Sequence, residues 1–335
     1  MELRKMLNNA IQRRVNRERF LLHNRTPRTE ILREGIFSVQ YFAPLPSDRV
    51  QIEGETVEVE ATQATVPLVL VPPLGVYAWI FDLMAERSLV RYFLARGFSV
   101  YLVDWGQPNA ADSHLTLEKY ALDWLPKAVD SVRAHAEQPQ VSLLGYCMGG
   151  LLAMIYTAAL GGASVRNLVT IASPVNLHQM SGAAGVLNRL ASIPTGIVKR
   201  VTGLQLTELH PKLFHVHGRV LSVLFKMTQP KATVSSYVGL VKHLADDDYV
   251  SRYMTMNEWF TNMPDYPGAT VQEVIQRWGL ANGLANGQLN LSGRPIDLAN
   301  ITCSLLAFAG DNDAITSIPS ASAVISVVRS TDISF

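Results

Sequence analysis

From about residue 66 the chain repeats one pattern: a short, unbroken apolar run closed by Gly, Pro, Asp or Ser, then a segment with apolar positions every three or four residues. Runs of this kind match strands buried on both sides, and their exchange with helix-period segments predicts a parallel sheet covered on both faces. The runs fall at 66–71, 98–103, 141–145, 168–172 and 303–309. Between the second and third, Leu117, Tyr120, Ala121, Trp124, Leu125, Ala128, Val129 and Val132 share one helical face behind Thr116, a good N-cap. They predict a crossover helix, which Pro126 kinks.

The alternation stops after Pro174 and resumes only at Ile301. The interval has helical periodicity, scattered glycines and several aromatic residues, and predicts an inserted, largely helical cap over residues 176–300. Residues 46–175 and 301–335 then form the two parts of an α/β core, and 330–335 read as the start of one more strand. Residues 1–45 read as a basic helical arm, because Leu3, Met6, Leu7, Ile11 and Val15 recur at helical spacing among Arg4, Lys5, Arg13, Arg14 and Arg17. The expected use of that stripe is packing on the domain, with an amphipathic helix lying on an anionic or apolar surface as the alternative.

Composition narrows the function classes. A chain of 335 residues with 48% hydrophobic and 17% charged residues can bury one large core. Its formal net charge of +1 gives no electrostatic footprint for nucleic acid. Cys147 and Cys303, the two cysteines, form no disulfide framework, and no stretch approaches the roughly twenty apolar residues that span a bilayer. A soluble protein of the reducing cytoplasm is expected.

The chemistry concentrates at Gly145-Tyr146-Cys147-Met148-Gly149-Gly150, which follows the run 141–145 and precedes helix-spaced Leu151, Leu152, Met154, Ile155, Ala158 and Ala159. Strand, tight turn and helix around Gly-x-Cys-x-Gly make a nucleophile elbow with cysteine in the serine position. The flanking glycines are needed because side chains there would strike neighbouring backbone. The helix N-terminus points at Cys147 and favours a thiolate. The N–H of Met148 is a candidate oxyanion donor, and so is that of Leu74 in the Pro-containing loop 71–77. Cys303 opens an apolar strand and reads as a small core residue. Tyr146 in the elbow, and Asp104 and Trp105 at the end of the second run, are candidate substrate-binding residues.

An elbow nucleophile needs an acid and then a histidine, in that chain order. Gly310-Asp311-Asn312-Asp313 ends the run 303–309, where open α/β sheets carry functional side chains. Asp313 is the preferred acid, and Asp311, lying against the strand, is read as a turn former. No histidine occurs in the twenty-two residues after Asp313. Either the base lies beyond Phe335 or the protein lacks one. His210, His215 and His217 invite a metal reading, but no acidic or thiol ligand accompanies them in sequence, so no metal is expected. No cofactor is expected either, since the dinucleotide fingerprint and the Walker lysine are both missing.

Together these residues resemble a family. Val71-Pro72-Pro73, Asp82-Leu83, Ser88-Leu89-Val90-Arg91-Tyr92, Val103-Asp104-Trp105-Gly106, the elbow, Asn167-Leu168-Val169-Thr170, Ser173-Pro174-Val175, Asn257-Glu258-Trp259, Pro264-Asp265 and Asp297-Leu298-Ala299-Asn300-Ile301 are similar to polyhydroxyalkanoate synthases, especially the shorter two-subunit type. The resemblance implies an α/β-hydrolase fold, acylation of Cys147, Asp313 as the catalytic aspartate, and a catalytic histidine in a segment beyond Phe335. It implies (R)-3-hydroxyacyl-coenzyme A as substrate, a growing polyester chain as product, a second synthase subunit, a homodimer and association with polyester granules. Ala314 departs from the family, which usually has histidine after the aspartate. Chemistry alone gives a reason for cysteine: thiolate attack on a thioester yields another thioester, so the acyl group stays activated. Two alternatives stand beside this reading, a cysteine hydrolase of esters or lactones and a triad-deficient paralogue that binds granules or a partner.

Overall fold

The computed structural model describes residues 2–61, 64–181, 206–228, 230–291 and 293–335. An eight-stranded sheet organises the chain. Its strands are β1 (Arg28–Glu34), β2 (Phe37–Phe42), β3 (Leu68–Val71), β4 (Val100–Asp104), β5 (Val141–Tyr146), β6 (Val165–Ile171), β7 (Ser304–Phe308) and β8 (Ile333–Ser334), in the spatial order β1-β2-β4-β3-β5-β6-β7-β8. β1 and β2 pair antiparallel with each other, β2 pairs antiparallel with β4, and every other neighbour is parallel. The five apolar runs became β3 to β7; all of β3 is buried and β5 is buried up to Gly145, as expected of strands covered on both faces, whereas β7 alternates buried with exposed apolar positions.

Residues 28–42 are the part of the sheet that the sequence reading assigned to a helical arm. The helical part of the arm is α1 (Glu2–Val15) with a 3-10 turn at Arg17–Phe20, and β1, with only partly covered positions, is an edge strand whose charges mask its period. The expected packing of the α1 stripe is also not seen. Leu3, Leu7, Ile11 and Val15 are 57–78% exposed, and the buried residue of α1 is Asn9, whose amide donates to Leu244 O at 2.9 Å and to Asp247 Oδ1 at 2.7 Å. After α1, Phe20 packs on Leu240, Val250 and Met254, and Thr26 donates its N–H and hydroxyl to buried Asp82.

The crossover helix forms behind Thr116, whose Oγ1 accepts from Lys119 N at 3.2 Å. Its irregularity lies just before Pro126. Residues Lys119–Trp124 widen into a π-turn, and Pro126 then sits in the first turn of the α-helix Leu125–His135, where a missing N–H is tolerated. In the region between β6 and β7, α2 (Gly218–Thr228), α3 (Pro230–Lys242), α4 (Asp247–Thr261) and α5 (Gly268–Glu273) lie with a small hairpin, Gln288–Leu291 and Arg294–Asp297. Residues 182–205 of the expected cap lie outside the described residues. No described helix is long and apolar enough to cross a membrane.

Candidate active site

Register brings the chemistry to one edge of the sheet. Val71 pairs with Gly145, Tyr146 with Ile171, and Ile171 with Phe308, so four parallel strands end level and release residues 72–77, Cys147, Ala172 and 310–313 side by side. Cys147 has φ 52° and ψ −120°, a left-handed turn that a non-glycine residue adopts only when its surroundings enforce it. They do so through Cys147 N donating to Ile171 O at 2.8 Å and Gly150 N donating to Cys147 O at 3.0 Å. The helix Met148–Tyr156 follows at once. At Gly145 a Cβ would lie 2.3 Å from Gly150 Cα, and at Gly149 one would lie 2.1 Å from Val71 O. The glycines therefore let helix, strand and loop close on one another.

Cys147 is shared by two cavities. One, of 570 Å³, is lined by Tyr146, Cys147, Ala172, Phe225, Tyr253, Trp259, Phe260 and Asp313. The other, of 290 Å³, is lined by Leu74, Gly75, Cys147, Met148, Leu221, Leu224, Phe225, Trp259 and Tyr266. Both candidate oxyanion residues thus border the smaller cavity and the candidate acid borders the larger. Asp313 Oδ1 accepts from Ile315 N at 2.8 Å and Thr316 N at 3.0 Å, which leaves Oδ2 without a partner among the described residues. Asp311 is exposed and lines neither cavity.

Electrostatics overturns one expectation. Burial pushes the Cys147 thiol up to about 11, against the lowering effect of the Met148 N–H and with a further raising effect from the Asp313 carboxylate. Loss of solvation outweighs the helix terminus, so the resting group is a thiol and needs a base. Burial also pushes the Tyr146 hydroxyl up to about 12, so it acts as a neutral hydrogen-bonding group.

Asp104 and Trp105 line neither cavity. Trp105 is 4% exposed, packs edge-on against Tyr120, and donates its indole N–H to Pro72 O at 2.8 Å. It holds the loop that carries Leu74. Asp104 turns back to accept from Gly106 N at 2.9 Å, and burial raises its carboxyl above the ordinary range. Among the apolar cap residues, Leu213, Val220 and Met227 are exposed and Met254 packs on Phe20, whereas Leu221, Leu224, Phe225, Tyr253, Trp259 and Phe260 line the cavities. No histidine lines either one, and His178 is held through Nε2 on Gly279 O at 2.8 Å. The sequence reading missed Tyr266, whose hydroxyl donates to Met148 Sδ at 2.7 Å. Its signal was no more than an aromatic residue in a Pro-flanked cap turn.

Over 253 residues the chain is 33% identical to the poly(3-hydroxyalkanoate) polymerase subunit PhaC of Haloferax mediterranei, a match covering 75% of this chain and 49% of that protein. The PhaC subunit of Allochromatium vinosum is 32% identical over 242 residues, covering 72% of this chain and 64% of that one. The chain thus spans between about half and two thirds of the length of these relatives. A solved hydrolase from Pseudomonas aeruginosa aligns over 93% of this chain and 90% of its own at 13% identity and a TM-score of 0.45. The family model for the alpha/beta hydrolase fold matches residues 67–323, from the strand before the Leu74 loop to beyond Asp313. Strand order, elbow and sequence agree, and the chain belongs to the α/β-hydrolase fold family.

Proposed function

We propose that this chain carries the acyl-transfer site of a poly(3-hydroxyalkanoate) polymerase that uses (R)-3-hydroxyacyl-coenzyme A. The observation that carries the reading is the position of Cys147, in a left-handed elbow where two cavities meet, one with Asp313 and one with Leu74 and Met148. In the proposed cycle a base takes the Cys147 proton, sulfur attacks the thioester carbonyl, and the N–H groups of Leu74 and Met148 hold the oxyanion. Collapse expels coenzyme A as its thiol and leaves an acyl group on sulfur. A hydroxyl at the end of a chain then loses its proton to the base, attacks that thioester, and frees Cys147 with one new ester bond. Phe225, Trp259 and Phe260 from the cap cover the site and exclude water, the competing nucleophile.

The proposed base is a histidine following Phe335, oriented by Asp313 Oδ2. β8 supports this. Ile333 pairs with Leu305 and Ser334 with Leu306, so a strand continued in that register runs past Phe308 toward the edge where the Asp313 loop leaves. Exposed apolar residues on α2 and α3, among them Val223, Met227, Val234 and Tyr237, give the implied homodimer, second subunit or granule a surface to meet. The test is intact-mass and peptide mapping of the protein after exposure to (R)-3-hydroxybutyryl-coenzyme A, with product analysis alongside. An acyl mass on the Cys147 peptide with free coenzyme A and polymer supports the reading. Monomeric acid as the sole product makes the protein a hydrolase, and label on Cys303 removes Cys147 from the mechanism.

A further inference from the structure

Away from the acyl-transfer site, folding assembles His215, His217 and Asp265, whose ligand atoms all lie within 4.8 Å of one another. The carboxylate missing from the sequence neighbourhood of the two histidines arrives from 48 to 50 residues downstream, across the antiparallel bridge between Val216 and Tyr266. Asp265 Oδ2 lies 2.9 Å from His215 Nε2 and 3.1 Å from His217 Nδ1, while Oδ1 accepts from Gly218 N at 2.8 Å. The imidazole rings sit 5.0 Å apart at 78°, converging on that one oxygen.

Hydrogen bonding around His215 orients its ring. Ser113 Oγ donates its single proton to Ala110 O at 2.7 Å, so toward His215 Nδ1, 3.2 Å away, it can only accept. Nδ1 is therefore the protonated nitrogen. In a neutral ring Nε2 is then a bare lone pair, aimed at a carboxylate oxygen by a side chain only 5% exposed. Two electron-rich atoms at that distance need positive charge between them, which a proton on Nε2 or a bound cation supplies. A ring whose outer N–H is anchored by a neighbour while its other nitrogen faces a carboxylate has the form of an oriented metal ligand.

We propose that His215 Nε2, His217 Nδ1 and Asp265 Oδ2 bind one divalent first-row cation, zinc above all, with water in the fourth position. Two imidazoles and one carboxylate suit zinc rather than magnesium or calcium. Tetrahedral ligands at roughly 2.0–2.1 Å stand about 3.3 Å from each other, so the two Asp265–histidine separations of 2.9 and 3.1 Å need to widen by only a few tenths of an ångström. Exposed His217 can move that far. The ion pins both sides of the Val216–Tyr266 bridge. Tyr266 in turn donates to Met148 Sδ, and its ring lies where a Cβ on Gly75 would be, 2.6 Å away. The site is thus a clasp that holds a cap segment on the elbow and the neighbouring loop. That consequence rests on the acyl-transfer reading, whereas ion binding does not.

The test uses the 335-residue protein stripped of metal, titrated with zinc chloride against a chromophoric chelator and separately with cobalt(II). One zinc per chain with a Kd below about 1 µM is expected, with cobalt d–d bands and no sulfur charge-transfer band. His217→Gln, at a 68% exposed side chain, and Asp265→Asn are expected to weaken binding at least about tenfold. His210→Gln, whose ring only caps Lys212 N, is expected to bind as wild type does. Failure to retain zinc, equal retention by all variants, or a sulfur charge-transfer band placing the ion on a cysteine would each overturn the proposal. So would nitrogen-detected NMR showing His215 doubly protonated in excess zinc. None of these readouts depends on acyl transfer, so the two proposals fail separately.

Discussion

Cys147 sits under two opposed local effects, a helix N-terminus that favours the thiolate and a buried setting that disfavours it. Burial prevails, with the thiol raised to about 11. Its folded value lies above that of an unfolded cysteine, so the folded state holds the proton through the neutral range and releases it only as pH rises toward 11. Iodoacetamide labelling of Cys147 is therefore expected to be slow at pH 7 and to climb about tenfold per pH unit up to about pH 10, followed by peptide mapping. A plateau below pH 8 would show a thiolate stabilised by something else. Because the resting thiol is neutral, the proposed acylation and elongation steps both need the base. In a protein carrying that base, Asp313→Asn is expected to slow coenzyme A release and polymer growth alike, by about 10²–10⁴-fold, while Asp311→Asn changes neither appreciably. Single-turnover measurement of both products checks this. That Cys147 and Asp313 stand at neighbouring strand ends and line one cavity was legible from the motif and the strand end, whereas the protonation of Cys147 depends on enclosure by the cap and by neighbouring strands.

The elbow and the Leu74 loop work as one unit. Gly149 lets the helix Met148–Tyr156 press against Val71 O, and the Trp105 indole N–H holds Pro72 O from the other side. Gly149→Ala puts a methyl group into backbone that cannot yield, and is expected to cost about 1–3 kcal/mol in urea unfolding. Trp105→Phe keeps most of the packing but loses the hydrogen bond, so about 1 kcal/mol of stability and a several-fold drop in acylation rate are expected. A loss of stability with unchanged kinetics would mean that the loop needs no such brace. Strands β3 to β5 were readable because near-complete burial writes an unbroken apolar run, and β6 and β7 because their partly exposed positions are mostly apolar as well. β1 was not, since the charges of an exposed edge strand obscure its alternation, and β2, which carries no charge, was passed over as part of the arm. Pro126 marked a real irregularity, but whether the helix kinks or widens is decided by the turn before it.

At the scale of the molecule, parallel strands ending in register gather residues that are about 25 to 240 positions apart in sequence. A version of the chain continued through a histidine after β8 is expected to release coenzyme A at least about 10²-fold faster than residues 1–335, because that strand edge leads toward Asp313. Equal rates would assign the base to one of the eight histidines already present. The sequence by itself determined the order of buried strands, the elbow with its glycines and the acid that follows the strand Ser304–Phe308, because each is a local pattern with a local steric or burial cause. Only the tertiary structure decided which groups meet. It set Trp105 behind the loop rather than in the cavity, drew Tyr266 onto Met148, and brought Asp265 to His215 and His217. Those contacts arise from strand register and cap docking, which act through space between segments that bear no mark of one another in sequence.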